Sequence, residues 1–176
     1  MEKNYIKNYF FEINRNLNKI SEEDFKNFIY LLKKIKKKDK KVIFVGNGGS
    51  AAMASHVSVD FTKASKIRAI NFNEADLLTC FANDYGYENW VKEALKAYSQ
   101  KGDLVVLFSS SGTSRNMINA AKFCQKHNIE LVTFTGFKKN NLLSRMGKVN
   151  FWVNSKKYNI VEMTHHVWVL MAVDYF

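Results

Sequence analysis

Not one of the 176 residues is proline, and only 8 are glycine. Polyproline spacers and proline-punctuated hinges are therefore excluded, and no low-complexity stretch or internal repeat divides the chain. A single domain large enough to bury a core follows. Cysteine is equally scarce: Cys80 and Cys124 are too few for a disulfide scaffold, and both fall in helical patterns where a buried thiol acts as a small hydrophobe. No apolar run reaches the ~18 residues of a membrane span, and the opening MEKNYIKNYFFEINRN lacks the uninterrupted apolar core of a signal peptide. A cytoplasmic protein without a membrane partner is the expectation.

Acidic side chains are outnumbered, 16 Asp and Glu against 27 Lys and Arg, leaving a net charge of +11. Such an excess suits nucleic acid, an acidic membrane surface or an anionic small substrate, and its distribution decides among them. Much of it lies in Lys33, Lys34, Lys36, Lys37, Lys38 and Lys40, which close a helix, where cations complement the macrodipole and remain solvated. Zinc-finger spacing, RNP-type motifs and basic heptads are all missing, so nucleic acid is not an expected partner.

What is present, 47% apolar and 14% aromatic side chains, belongs to a folded protein. Helical spacing of Tyr5, Ile6, Tyr9, Phe10, Ile13, Leu17 and Ile20 predicts a helix over 3–19. Ser21-Glu22-Glu23-Asp24 then reads as a capping box opening a second helix over 22–37. After residue 41 the pattern becomes KVIFV, IRAINF, DLVVLF, IELVTF and VNFWV, short apolar strands separated by helices near 50–64, 75–99 with a break at 83–86, 114–127 and 159–176. Continuous apolar strands alternating with helices predict a parallel sheet covered on both faces. The fold class is α/β, a doubly wound five-stranded parallel sheet, whose two chemistry-bearing loops belong together if its order is 2-1-3-4-5. Residues 1–40 form a helical pair packed on the α/β unit of residues 41–176.

Two loops carry the chemistry. The first strand runs into Gly46-Asn47-Gly48-Gly49-Ser50 at the start of a helix, where glycines admit close backbone approach and free N–H groups favour an anion. The third strand ends in Ser109-Ser110-Ser111-Gly112-Thr113-Ser114, with Asn116 beyond. Five hydroxyls exceed what an N-cap needs and supply donors for a terminal phosphate. In the expected strand order both loops flank the topological switch point, where ligands of open α/β sheets bind.

Two acid and histidine groupings lie on helices. His56 and Asp60 are four residues apart, and Glu162 precedes His165 and His166 by three and four, so each set shares a helical face. Metal half-sites and general acid/base couples both use such spacing, as do ordinary helical hydrogen bonds. His127 reads as an exposed residue at a helix end.

The stretches GNGGSAAMASHVSVDF, ANDYGYENW and GDLVVLFSSSGTSRN together resemble the sugar isomerase (SIS) domain proteins, specifically the phosphoheptose isomerase branch, over nearly the whole chain. The resemblance implies that Ser109, Ser110, Ser111, Thr113 and Ser114 bind phosphate, that Asn47, Gly48, Gly49 and Ser50 line the sugar, and that Asp84 lies near it. His56 matches a metal-binding histidine, and Asp60 a carboxylate that in the family is usually glutamate, serving as base and zinc ligand. The family's glutamine ligand aligns with Val161 and its catalytic histidine with Val169, so Glu162, His165 and His166 are the polar groups left on that helix.

The reading that follows is a sugar-phosphate aldose–ketose isomerase working through an enediol, with Asp60 or Glu162 as base and His165 or His166 as acid. Zinc held by His56 and Asp60, with Glu162 and His165 or His166, is the alternative to a metal-free acid/base site, which is expected ahead of it because valine coordinates nothing. The resemblance further implies heptose supply for surface polysaccharide and a homotetramer whose sites borrow residues between subunits. Two rivals remain: a non-catalytic phosphosugar-binding module, and a dinucleotide binder built on Gly46-Asn47-Gly48-Gly49-Ser50-Ala51 with Glu74 after the second strand. The latter leaves the Ser-rich loop unexplained.

Overall fold

A computed structural model describes residues 3–176. Two helices, α1 (Tyr5–Leu17) and α2 (Glu22–Lys37), precede β1 (Val42–Val45), α3 (Gly49–Lys63), β2 (Ala69–Asn71), α4 (Ala75–Tyr85), α5 (Trp90–Tyr98), β3 (Leu104–Ser109), α6 (Arg115–Lys126), β4 (Glu130–Thr135), a 3₁₀ turn (Leu143–Arg145), β5 (Val149–Trp152) and α7 (Tyr158–Asp174). The five strands are parallel, as the apolar runs predict, and their order is β2-β1-β3-β4-β5, which sets the first and third strands side by side. The helix predicted over 75–99 is two helices, parted at Gly86, whose positive φ ends α4.

Side chains alternate across each strand, so one sequence feeds two cores. Phe44, Val106, Phe108, Phe134 and Phe151 face α2, α3 and α7, while Ile43, Val45, Val105, Leu107 and Leu131 face α5 and α6. Phe108, Phe134 and Phe151 stack across β3, β4 and β5 with centroids 4.9 and 4.6 Å apart, because the register sets Phe108 beside Phe134 and Phe134 beside Phe151. Each fully buried phenylalanine contributes roughly 1.5–3 kcal/mol relative to leaving it in water. Cys124 belongs to the second core, where burial pushes its thiol up to about 12, whereas Cys80 is exposed on α4, contrary to the buried role expected of both cysteines.

The N-terminal pair is attached in two different ways. Ser21 caps α2 by accepting the Asp24 N–H at 3.1 Å, and α2 buries Phe28, Leu31, Leu32 and Ile35. By contrast α1 is pinned by polar contacts: Lys157 Nζ reaches Glu12 at 2.6 Å, Ser155 donates to Glu12 at 2.8 Å, and the Trp168 indole donates to Leu17 O at 3.1 Å. Leu17 packs against the core, but much of the helix's apolar surface stays in solvent, Phe10 at 66% and Phe11 at 68%. Among the described residues no helix is long and apolar enough to cross a membrane.

Candidate functional site

Strands β1 and β3 are neighbours, so the loops leaving their carboxyl ends rise side by side. Asn47 and Asn116 bridge them through a reciprocal amide pair, Asn116 Nδ2 donating at 2.8 Å and Asn47 Nδ2 returning at 3.1 Å. Tyr87, from the α4–α5 connection, donates its hydroxyl to Asn47 at 3.2 Å. Sequence reasoning passed over Tyr87 and gave Asn116 no role; the segment ANDYGYENW contains Tyr87, but no spacing rule predicts a contact made across 40 residues. Asp84 is exposed on α4, where it meets Asn83 at 2.9 Å and Cys80 at 3.7 Å rather than either loop.

The Ser-rich loop keeps its donors free of capping duty. Ser114 is the N-cap of α6 but makes no side-chain cap bond, and its hydroxyl receives one from Ser109 at 3.2 Å. Ser111 accepts from the Thr113 N–H and hydroxyl at 3.3 and 3.1 Å, and Ser110 Oγ is buried without a partner among the described residues. Gly112 lies at φ +65°, and a Cβ there would collide with the Asn141 amide, so both backbone and space demand glycine. Hydroxyls and the positive end of α6 converge as an anion seat.

The first loop is filled differently. A Cβ on Gly49 would collide with the Glu162 carboxylate, so Glu162 lies directly against the start of α3. That helix begins at Gly48 with no side-chain cap, and the Glu162 carboxylate packs beside its first turn. The glycine at position 49 thus makes room for a protein carboxylate. Burial raises the Glu162 pKa above that of an ordinary carboxylate, which suits a base.

Helix phase sorts the remaining residues of α7. Val161 and Val169 are fully buried. His165 is also fully buried, its Nε2 at 3.0 Å from Thr135 O and its ring packed on Phe134 and Trp168. As a correction, His165 leaves the acid/base set: it turns to the sheet with the valines, and burial pushes its pKa down to about 4. One residue on, His166 faces α3, where its Nε2 lies 2.9 Å from His56 Nδ1, while His56 Nε2 is 3.0 Å from Asp60 Oδ2. Glu162 and His166, four residues apart, share this face.

The line Asp60–His56–His166 is a relay and not a cage. Asp60 and His166 bind opposite nitrogens of the His56 ring, whose lone pairs point apart, so the three cannot converge on one ion in this arrangement. Among the described residues no three His, Cys, Asp or Glu side chains cluster as a metal centre. The donor set therefore does not fit the zinc that the resemblance implies.

The family model described as SIS domain matches residues 8–136. The chain is similar to the phosphoheptose isomerase of Thermodesulfovibrio yellowstonii, 32% identical over 160 residues that span 84% of this chain and 79% of that protein. It is also similar to the phosphoheptose isomerase of Fusobacterium nucleatum, 33% identical over 133 residues, 73% of this chain and 68% of that one. Among solved structures, the phosphoheptose isomerase GmhA from Neisseria gonorrhoeae superposes with a TM-score of 0.88 at 26% identity, covering 97% of this chain and 96% of that chain.

Proposed function

This chain belongs to the SIS domain family, and on that premise we propose that it isomerises a sugar phosphate between aldose and ketose, as a phosphoheptose isomerase acting on sedoheptulose 7-phosphate. One observation carries the reading: a partly buried carboxylate, Glu162, seated on Gly49 at the same sheet end as an uncapped, hydroxyl-rich helix N-terminus. The Ser-rich loop holds the phosphate, and Asn47 with Tyr87 faces the sugar. Glu162 removes the proton from the carbon next to the carbonyl; its electron pair becomes the enediol double bond, and the proton returns to the neighbouring carbon. Asp60 holds the proton of His56 on Nε2, so His56 Nδ1 accepts from His166, whose own Nδ1 is left to carry the hydroxyl proton from one substrate oxygen to the other. Carbon and oxygen protons each move once, and no step needs a metal.

The burial of Val161 and Val169 favours a second reading, a module that binds the phosphosugar without turning it over. Proton NMR with sedoheptulose 7-phosphate in heavy water separates the two. The isomerase gives heptose 7-phosphate with deuterium entering at the carbon that receives the proton; binding with neither turnover nor exchange overturns it. Heptose supply is the metabolic setting of the enzyme. A cytoplasmic location belongs to the same reading and is supported by two free thiols. So does a homotetramer, supported by the bare apolar residues of α1 and by Met163, Val167 and Met171 on α7. Nucleic acid has no place in it.

A further inference from the structure

A cavity of about 570 Å³ lies apart from the loops just described, at the outer edge of β5 between the start of α2 and the segment that carries the 3₁₀ turn. None of the residues assigned to phosphate, sugar or proton transfer lines it. Its floor is Phe151 and Trp168, both buried, and its wall is the half-buried Trp152 indole with Lys139 Nζ 5.8 Å from the ring centroid. Lys19, Lys139 and Arg145 stand around it, and none of the three forms an ion pair with a described residue. Against them is one carboxylate, Asp24. Three unpaired cations in one concavity repel one another, an arrangement relieved by an anionic ligand. An indole wall beside a lysine adds a surface for a planar ring.

The same segment is bonded to the phosphate seat. Leu143 N–H donates to Gly112 O at 3.1 Å, Gly136 N–H donates to Ser110 O at 2.9 Å, and Asn141 packs against Gly112 while its Oδ1 accepts from the Ser144 N–H at 2.8 Å. Lys139, Ser144 and Arg145 line the cavity and Asn141 buttresses the Ser-rich loop, so a ligand gripped on one side of this short segment bears on the conformation of the other. A site large enough for a ring and a polyanionic head, lined by these groups, exceeds the needs of a single phosphorylated sugar.

We propose that this cavity binds a nucleoside diphosphate, free or as the activated end of a larger metabolite, and that its occupancy changes the affinity of the Ser-rich loop for phosphosugar. The two sites share a strut of backbone but no side chain, and linkage requires the effect to be reciprocal.

Calorimetry with ADP on the intact protein tests this without reference to turnover. One ADP is expected to bind per chain, more tightly than adenosine or pyrophosphate alone. Lys139→Ala with Arg145→Ala weakens it by about tenfold or more, as expected for lost charge-assisted bonds, while sedoheptulose 7-phosphate binding remains. Asp24→Asn, which removes the opposing charge, strengthens ADP binding. Saturating ADP shifts the sedoheptulose 7-phosphate affinity of the wild type and leaves that of the double variant unchanged. No ADP binding by a protein that still binds sedoheptulose 7-phosphate would overturn the proposal. Undiminished ADP binding in the double variant, or competition between ADP and the sugar phosphate that Ser111→Ala with Ser114→Ala abolishes, would place ADP in the Ser-rich loop and overturn it equally. ADP bound in the cavity with no effect on phosphosugar affinity would refute the linkage.

Discussion

His166 Nε2 lies 2.9 Å from His56 Nδ1, and Asp60 Oδ2 lies 3.0 Å from the far nitrogen of His56, so the three side chains form one line. Burial and the neighbouring His56 hold the His166 pKa below its ordinary value, with Asp60 opposing, so His166 stays neutral at lower pH than a free imidazole. Asp60→Asn or His56→Ala is expected to lower kcat by about 100-fold with KM little changed, the mark of a proton-handling defect rather than a binding one. Elemental analysis of the fresh protein is expected to show zinc well below one per chain. Near-stoichiometric zinc that His56→Ala removes would refute the metal-free assignment.

In the proposed mechanism Glu162 acts only as carboxylate, and its raised pKa moves the point at which it is lost. As pH falls, protonation inactivates it above 4.5, the ordinary glutamate value, so the acid limb of kcat/KM lies above that of an exposed glutamate. Glu162→Gln should remove both turnover and deuterium exchange. Gly49→Ala keeps the carboxylate but pushes it off its seat, and is expected to cost kcat while sugar phosphate still binds. A fully active Gly49→Ala protein would show that the seat is not functional.

Ser111→Ala combined with Ser114→Ala is expected to weaken sedoheptulose 7-phosphate binding by roughly 1.5–3 kcal/mol for each lost hydrogen bond to the charged group. Sedoheptulose itself should lose far less. Equal losses by calorimetry would remove the phosphate from this loop.

His165 makes stability depend on pH. Its folded pKa of about 4 lies below the ordinary histidine value of 6.5, so the unfolded chain binds the extra proton first as pH falls. The stabilisation tied to the neutral ring is complete above about 6.5 and is lost progressively down to about 4, on the order of 3 kcal/mol in all. Urea unfolding at neutral and mildly acidic pH should show this loss in the wild type and a flatter profile in His165→Leu. Identical slopes would mean that the ring is not the titrating group.

Phe10 and Phe11 stand bare on α1 in the single chain. Light scattering is expected to give an oligomer, and Phe10→Glu with Phe11→Glu to shift the mass downward by placing charge in an apolar contact. A wild-type monomer at micromolar concentration would exclude the tetramer.

Much of this was legible in residue order because local rules suffice for it. Continuous apolar runs, helical spacing at 3.6, and glycine or serine clusters at strand ends are properties of neighbouring residues, and from them came the five parallel strands and the two loops at strand ends. Hydroxyl count likewise sets the Ser-rich loop apart from the Gly-rich one as the expected phosphate seat. What local rules do not carry is rotation of α7 about its axis, where one residue is 100° of arc. Glu162, His165 and His166 read alike as a string, and only packing against the Phe108, Phe134 and Phe151 stack decides that His165 enters the core with Val161 and Val169 while Glu162 and His166 turn to α3. Contacts between distant elements were equally beyond the sequence: Tyr87 on Asn47, Glu162 on Gly49 and His166 on His56 join segments whose approach is fixed by sheet register and helix docking, and no spacing along the chain encodes the distance between them.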